Sequence, residues 1–142
     1  MCIRDRTNTG AITVDDGAAL ILDNATAITN SALADTITVN GTGTLTLDDS
    51  SSISGGTVTI AASTGQLTLN GTSAISGGTL DNAGTVTTTG TDTIGTETIT
   101  SSDAIDVTAG TLTLSADTVT NTGAITVSSG AALILDLSLI HI

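Results

Sequence analysis

Residues 55–76 have the sequence GGTVTIAASTGQLTLNGTSAIS, in which two short runs, TVTI at 57–60 and QLTL at 66–69, alternate aliphatic and polar side chains. Alternation with a period of two is typical of a β-strand with one buried face. The glycine, serine and asparagine residues between the runs are typical of turns. This segment therefore predicts short strands joined by tight corners.

The same pattern fills the chain on both sides of this segment. Residues 8–29 repeat it over an equal length, and the remaining segments, 30–54, 77–100 and 101–120, follow it with small changes in length. Successive strands begin about six residues apart, which is too close for crossover helices but suits the corners of a coiled β-structure. The sequence predicts an all-β fold: a β-solenoid, in the form of a right-handed parallel β-helix with about six coils of roughly 20–25 residues.

Each coil is expected to contribute three strands in a fixed order. The predicted first strands contain Ile12/Val14, Ile37/Val39, Val58/Ile60, Val86/Thr88, Ile105/Val107 and Ile125/Val127. The predicted second strands contain Leu20/Leu22, Leu45/Leu47, Leu67/Leu69, Ile94, Leu112/Leu114 and Leu133/Leu135, and the third strands contain Ile28, Ile53, Ile75, Ile99 and Val119. The fourth coil lacks the leucine pair, so we expect a bulge, loop or bend at 94–96, beside Asp92 and Glu97.

A longer repeat contains the coils. The sequence TNTGAITVDDGAALILD at 7–23 returns at 120–136, with Asp15 and Asp16 replaced by Ser128 and Ser129. This 113-residue offset predicts a super-repeat of five coils with a sixth beginning at Asn121. We therefore interpret 7–136 as a single solenoid segment of a tandem array, in which each coil needs its neighbours to cover the top and bottom of its aliphatic layer.

The two ends differ from this pattern. One coding choice for LSLIHI at 137–142 reads on its opposite strand as codons for Met-Cys-Ile-Arg-Asp, which is how MCIRDR at 1–6 begins. The pair resembles inverted adapter ends used in preparing DNA sequencing libraries. We therefore exclude 1–6 and 137–142 from the fold prediction, and expect the natural polypeptide to continue beyond 7–136.

The composition of 7–136 narrows the possible partners. This body contains no Cys, Met, His, Lys, Arg, Pro or aromatic residue, and its charge comes from twelve Asp residues and Glu97. Without cations, nucleic acid and anionic membrane surfaces are poor partners. The longest apolar run, Ala18 to Leu22, is too short for membrane insertion.

There are two alternative folds, a disordered chain and a tandem immunoglobulin-like sandwich. The strict alternation argues against disorder. The short inner period and the lack of core aromatic residues argue against the sandwich.

The carboxylates are the only titratable groups of the body, so acid-base chemistry would need a pair such as Asp103 with Asp106 or Asp15 with Asp16. Adjacent strand residues point to opposite faces, so such pairs do not converge. The segments Asp15-Asp16-Gly17 and Asp48-Asp49-Ser50 come just after a predicted strand, where Asp favours turns, so we expect corner roles for their carboxylates. No catalytic, cofactor-binding or metal-ligating residue is assigned, and the segment is not predicted to be an enzyme. Weak, nonspecific calcium binding is the most that the acidic clusters suggest, because the calcium-binding nonapeptide repeat is absent.

Outward threonines form a second pattern. The pairs Thr36/Thr38, Thr57/Thr59 and Thr85/Thr87 are predicted to align on the first strands of three successive coils. Such a row resembles the faces of ice-binding β-solenoids. We expect breaks in it at Ala11, Ala104, Asp106 and Ala124. Threonine is also the polar residue best suited to an outward strand position, so the row has a purely structural explanation.

The strings NTGAITVxxGAALILD, ISGGTVTI and ISGGTLDNAGTV resemble the β-strand repeats of very large bacterial surface proteins, of the filamentous-haemagglutinin and autotransporter-adhesin type. The resemblance covers 7–136. It implies export to the bacterial cell surface or extracellular space and a β-helical stalk with a role in adhesion or biofilm display. The implied partners are neighbouring repeats of the same chain and host, cell-surface or matrix glycans. It carries over no site residue, because the matching positions are core and corner residues.

The leading hypothesis is a non-enzymatic structural or adhesive stalk segment of a large exported bacterial repeat protein. The alternative is a ligand-binding solenoid surface for ice or carbohydrate. A fragment of a secreted polysaccharide-active β-helix protein is the third hypothesis.

Overall fold

The structure, a computed structural model, describes residues 5–95, 98–115, 118–136 and 139–141, within which there are twenty strands and no helix. The strands are β1 (Asp5–Asn8), β2 (Ala11–Val14), β3 (Ala19–Leu22), β4 (Ala27–Asn30), β5 (Thr36–Val39), β6 (Thr44–Leu47), β7 (Ser52–Ser54), β8 (Thr57–Ile60), β9 (Gln66–Leu69), β10 (Ala74–Ser76), β11 (Thr79–Asn82), β12 (Thr85–Thr88), β13 (Thr91–Gly95), β14 (Thr98–Ser101), β15 (Ile105–Val107), β16 (Thr111–Ser115), β17 (Thr118–Asn121), β18 (Ile125–Val127), β19 (Ala132–Asp136) and β20 (Leu139–His141).

Every third strand belongs to the same sheet, so the chain winds round three parallel sheets. Sheet A contains β1, β4, β7, β10, β13, β16 and β19; sheet B contains β2, β5, β8, β11, β14, β17 and β20; and sheet C contains β3, β6, β9, β12, β15 and β18. Each pairing joins a strand to its counterpart one coil away, as Leu45 with Leu67. This confirms the β-solenoid. The parallel pairing of all three sheets rules out the antiparallel sandwich alternative, and the handedness stays a prediction.

Aliphatic side chains fill the space between the sheets. In sheet C, Leu45, Leu67 and Val86 stack in register and none is exposed to solvent. Ile37 and Ile53 occupy equivalent inward positions in sheets B and A. Strand alternation explains this core, because every second residue points inward. The layer that one coil presents is covered by the next coil, which is why the fold needs tandem repetition.

The register also shows that the coils differ in length. Ala11 lies opposite Thr36 in the next coil, whereas Gln66 lies opposite Thr85, which is a shorter step along the chain. The strands keep nearly the same length throughout, so the coils differ mainly in their corners. The shortest coil is the one that contains β11, β12 and β13.

The alternation pattern does not reveal strand β11, and its presence changes the sheet to which every later strand belongs. Leu80 of β11 pairs with Val58 and with Ile99. Val86, predicted to follow Val58 in the first-strand position, pairs instead with Leu67 in sheet C. The predicted strand sets are therefore correct for the first three coils and displaced by one sheet after them.

The missed strand also changes the interpretation of the long repeat. Ile12 lies in β2 of sheet B, and the matching Ile125 lies in β18 of sheet C. Since β18 is the sixteenth strand after β2, the 113-residue offset spans five coils and one further strand. The predicted unit of five whole coils is wrong by that strand.

The predicted irregularity in the fourth coil is wrong for the residues that the structure describes. Ile94 and Gly95 belong to β13, which pairs in register with β10 on one side and β16 on the other. Thr96 and Glu97 lie outside the described residues. Asp92 does not lie at a surface bulge; its side chain points into the core and is completely buried.

Strand structure extends into both segments that were excluded as adapter-like. Asp5 and Arg6 form the start of β1, which pairs with β4, and β20 pairs with β17. Their origin as adapter ends stays a prediction.

The aliphatic layer of the first coil is open to solvent. It forms a cavity of about 420 Å³ whose lining includes Ile12, Leu20 and Ile28.

Glycines permit close contact between coils at one corner. A Cβ atom on Gly90 would lie 2.3 Å from the backbone nitrogen of Gly71, and one on Gly110 would lie 2.0 Å from the carbonyl oxygen of Gly90. No side chain fits at such distances from backbone atoms. The three glycines therefore let successive coils stack directly at this corner.

Candidate functional site

The outward face of sheet B carries the most regular surface pattern among the described residues. Its two columns run along β2, β5, β8, β11, β14 and β17. The first column is Ala11, Thr36, Thr57, Thr79, Thr98 and Thr118, and the second is Thr13, Thr38, Thr59, Asp81, Thr100 and Thr120. Ten of these twelve positions are threonine. We call this surface the threonine face.

The predicted threonine row was therefore placed partly on the wrong strands. Thr85 and Thr87 belong to β12 in sheet C, and Asp106, named as a break, belongs to β15 in the same sheet. Ala104 and Ala124, two of the other expected breaks, immediately precede sheet-C strands. On sheet B the row continues through Thr79, Thr98 and Thr118, and it is interrupted only at Ala11 and Asp81 along the described strands β2 to β17.

The geometry of the threonine face follows from strict parallel register. Neighbouring threonines in a column belong to adjacent strands about 4.8 Å apart, and the two columns lie two residues apart along each strand, or about 6.7 Å. Within the described chain, none of the ten hydroxyl groups hydrogen-bonds to another residue. These hydroxyls are thus available to solvent or a ligand as a grid of donors and acceptors.

The other two faces lack this regularity. In sheet C the outward positions include Ile21, Gln66 and Asp106. In sheet A they include Ala27 and Ser52, which lie opposite each other. Threonine also occupies outward positions of sheet C, such as Thr44, Thr46 and Thr68, but among the described strands its columns are nearly continuous only on sheet B.

One carboxylate interrupts the threonine face. Asp81 is exposed and lies between Thr59 and Thr100 in its column. It lines a shallow groove of about 340 Å³ together with Thr59, Thr100 and the corner residue Ser102. The surface can therefore offer hydroxyl groups and a single negative charge, which suits hydrogen bonding to neutral polar ligands.

The acidic pair Asp15 and Asp16 belongs to a corner. The turn after β2 is closed by a hydrogen bond from the Ala18 backbone N–H to the Asp15 carbonyl, 2.9 Å. Asp16 Oδ1 accepts hydrogen bonds from the Thr42 backbone N–H and hydroxyl, both 2.7 Å. The backbone hydrogen bond, followed by the hydroxyl, lowers the pKa of Asp16. This carboxylate ties one coil to the next.

Asp48 and Asp49 also belong to a corner, the one that follows β6. Asp48 Oδ1 accepts a hydrogen bond from the Asp49 N–H at 2.8 Å and from Asn70 Nδ2 in the next coil at 2.9 Å. Asn70 Oδ1 in turn accepts a hydrogen bond from the Thr89 hydroxyl, 2.9 Å. The negative charges of Asp48 and then Asp23 raise the pKa of Asp49. The expected corner role of these carboxylates is confirmed.

Asp103 and Asp106, the other candidate pair, take different roles. Asp106 points outward from β15 and lies between Thr87 and Thr126 in register. Asp103 lies in the preceding corner, where its carbonyl oxygen accepts a hydrogen bond from the Ser101 hydroxyl, 3.3 Å. Across the ranges that the structure describes, no group of three or more His, Cys, Asp or Glu side chains is arranged to hold a metal ion.

Two inward polar residues, Asn82 and Asp92, were not recognised from the sequence, whereas inward Thr88 had been paired with Val86 in a predicted strand. Asn82 accepts a hydrogen bond from the Gly84 N–H and donates to the Ser101 hydroxyl and the Ala104 carbonyl, at 3.0–3.1 Å. The Asp92 carboxylate accepts hydrogen bonds from the backbone N–H groups of Ser73 and Gly90, at 2.9 and 3.1 Å. Burial raises the pKa of Asp92, against the opposing effect of these two bonds. The spacing in the sequence indicates both inward positions, because Asn82 follows Leu80 by two residues and Asp92 precedes Ile94 by two. Residues two apart on a strand point to the same face.

Within the described residues there is no helix with the length and hydropathy needed to cross a membrane. In comparisons with known proteins, no family model, curated protein or solved structure matches this chain. The assignment of a role therefore depends on the geometry of the solenoid and its faces.

Proposed function

We propose that this segment is a structural stalk, a rigid spacer in a longer exported repeat protein that holds an adhesive region away from the bacterial surface. The observation that carries the proposal is the parallel pairing of all three sheets from the first coil to the last, combined with the 113-residue repeat. In such a solenoid the length grows with the number of coils, because each repeat contacts only its neighbours.

The surface charge supports the same role. The body 7–136 has no Lys or Arg, and thirteen carboxylates are spread along it. Repulsion among like charges keeps such a stalk extended and soluble, and it opposes binding to nucleic acid and anionic lipid. Any contact with a partner then depends on hydroxyl groups, backbone groups or bridging cations.

The proposal is tested by measuring particle length against copy number. Proteins with one, two and three 113-residue units are compared by small-angle X-ray scattering. At about 4.8 Å per coil, each unit of five and one-third coils should add about 26 Å to the length and leave the cross-section unchanged. Compact particles, or a cross-section that grows with copy number, would contradict the stalk.

A second function, ligand binding by the threonine face, is favoured by a specific observation. Ten of twelve outward positions on one sheet are threonine, in register over six coils, and their hydroxyls have no internal partner among the described residues. The candidate ligands are ice and a neutral carbohydrate. Both present hydroxyl or water oxygens that can hydrogen-bond to a regular grid.

Charge substitutions on two faces separate binding from a purely structural role. In one variant the outward residues Thr36, Thr57 and Thr98 of sheet B are replaced by lysine. In the control variant Thr44, Thr46 and Thr85 of sheet C receive the same change. Thermal hysteresis or saturable binding to a glycan array that is lost only in the first variant supports the binding face. Equal responses of both variants, or no activity in the unmodified protein, would reject it.

A further inference from the structure

The two copies of the repeated segment, 7–23 and 120–136, lie on different sides of the solenoid. In the first copy, ITV at 12–14 belongs to β2 in sheet B and ALIL at 19–22 forms β3 in sheet C. In the second copy, the same residues at 125–127 form β18 in sheet C, and those at 132–135 belong to β19 in sheet A. Identical sequence therefore occupies positions one sheet apart.

The strand count of the repeat explains the displacement. Strand β18 is the sixteenth strand after β2, and three strands make one coil. Sixteen is not a multiple of three, so one repeat ends one sheet beyond its starting point. The strand that the alternation pattern conceals, β11, raises the number of strands in the repeat from the predicted fifteen to sixteen.

We propose that each further 113-residue unit presents its threonine face one sheet further round the stalk. This inference rests on the proposed tandem stalk. The face on sheet B in one unit lies on sheet C in the next and on sheet A in the third. The pattern returns to sheet B after three units, or sixteen coils, which is about 77 Å at about 4.8 Å per coil. A stalk of three units thus displays the face on all three sides.

This arrangement distinguishes the kinds of partner that the threonine face can serve in a long stalk. A planar partner touches one side of the stalk and meets only one threonine face in every three units. A flexible chain can follow the face from one side to the next and contact every unit. The displacement therefore favours a flexible neutral glycan over an extended ice plane as the ligand of the multi-unit protein.

The displacement is tested in the present chain by distances between nitroxide labels on cysteines, in a Cys2→Ser background. Thr13 and Thr120 stand in one column of sheet B, five strand spacings apart. Thr126 has the same place in the second copy as Thr13 in the first, but it lies on sheet C. We expect a distance of about 24 Å for Thr13→Cys with Thr120→Cys, from five spacings of about 4.8 Å, and a longer one for Thr13→Cys with Thr126→Cys.

A second pair of labelled positions in one column controls for a local disturbance of the structure by the labels. Ile21 and Thr126 share one column of sheet C, so Ile21→Cys with Thr126→Cys should again give about 24 Å. If Thr13 with Thr126 gives the distance expected for one column and both other pairs are longer, the repeat contains whole coils and the proposal is wrong. These distances are independent of how longer arrays behave, so the inference and the stalk can fail separately.

Discussion

Two neighbouring coils show how much the interior of this solenoid can vary without a change of fold. The first, formed by β8, β9 and β10, is called here the aliphatic coil; the second, formed by β11, β12 and β13, is the polar coil. The aliphatic coil points Val58, Ile60, Leu67, Leu69, Ser73 and Ile75 inward. The polar coil points Leu80, Asn82, Val86, Thr88, Asp92 and Ile94 inward. Half of the inward positions in the polar coil are polar, yet both coils pair in register with their neighbours.

The difference lies in the corners. In the polar coil, two residues connect β11 to β12 and two connect β12 to β13. In the aliphatic coil, five residues connect β8 to β9 and four connect β9 to β10. In each short corner a glycine N–H is satisfied from inside: that of Gly84 by Asn82 and that of Gly90 by Asp92. Since an unpaired backbone donor in the interior costs about 1–3 kcal/mol, a polar side chain there can be as favourable as an aliphatic one.

At two of its three polar positions, the polarity of this core follows the need for hydrogen bonds. Asn82 and Asp92 each satisfy backbone donors, whereas Thr88 does not: its hydroxyl is buried and has no partner in the described structure. The aliphatic coil should therefore be intolerant of polarity, and the polar coil should respond differently at each of its three polar positions.

The largest effect is expected in the aliphatic coil. Leu67 is fully buried between Leu45 and Val86, so Leu67→Asp places a carboxylate in the core without a partner. We expect a loss of about 4 kcal/mol or more in the free energy of unfolding, measured by urea denaturation. Thr68→Asp adds the same charge one residue further on, facing outward, and should change stability by less than about 0.5 kcal/mol. Equal effects in the two variants would show that the assigned strand faces are wrong.

The fold could be predicted from the sequence wherever the inward positions of a strand are aliphatic. Leu67, Leu69 and Ile75 were assigned correctly because each strand of the aliphatic coil alternates aliphatic with polar residues. In the polar coil the alternation is hidden: β11 contains only Leu80 as an aliphatic residue, and Asn82 occupies its other inward position. Once β11 was missed, every later strand was assigned to the wrong sheet.

The concealed strand also explains why the threonine row was predicted partly on the wrong strands. With Leu80 recognised as a core residue, Thr79 would have extended the column of Thr57, and the remaining coils would have followed. The hydrogen-bond partners of Asp92 could not be predicted in this way. They depend on the length of a corner and on which backbone donors it turns inward, and neither is encoded in a pattern of alternation.

The next largest effect on stability is expected at the corner where Gly90 of the polar coil stacks on Gly71 of the aliphatic coil. Gly90→Ala brings a Cβ atom against the backbone of Gly71, with nitrogen and oxygen at 2.3 and 2.5 Å. Because backbone atoms of the preceding, aliphatic coil must move, we expect a loss of about 2 kcal/mol in the free energy of unfolding, measured by urea denaturation. In the matched control, Gly10→Ala, the added Cβ meets no atom within 4 Å. If Gly90→Ala is as stable as this control, the close stacking of the coils at this corner is not present in solution.

A smaller, pH-dependent effect is expected at Asp92 in the polar coil. Burial raises the pKa of Asp92 in the folded protein. The stability associated with its protonated form is therefore fully present below the unfolded-state pKa of about 3.9, and it is lost as pH rises through the folded-state value. Asp92→Asn cannot ionise and escapes this loss. The free energy of unfolding of the wild type should thus fall relative to that of Asp92→Asn as the pH is raised from about 3 to 7.

The control for this titration is Asp106→Asn, which removes an outward carboxylate from β15. Differences in unfolding free energy between each variant and the wild type cancel the titration of the remaining carboxylates, including Asp16 and Asp49. The difference in unfolding free energy between Asp92→Asn and the wild type should change with pH. If it stays constant, or changes in the same way as for Asp106→Asn, burial does not raise the pKa of Asp92.

The smallest effect, and the only gain in stability, is expected at Thr88. Its side chain lies in register between Leu69 and Val107, is fully buried, and leaves its hydroxyl without a partner in the described structure. Thr88→Val keeps the shape and replaces the unpaired hydroxyl with a methyl group, so we expect a gain of about 1 kcal/mol in urea denaturation. Thr87→Val makes the same change at the outward neighbour and should have almost no effect. A loss of stability in Thr88→Val would show that the hydroxyl has a partner, such as a buried water. The polarity of this coil would then follow the need for hydrogen bonds at all three of its polar positions.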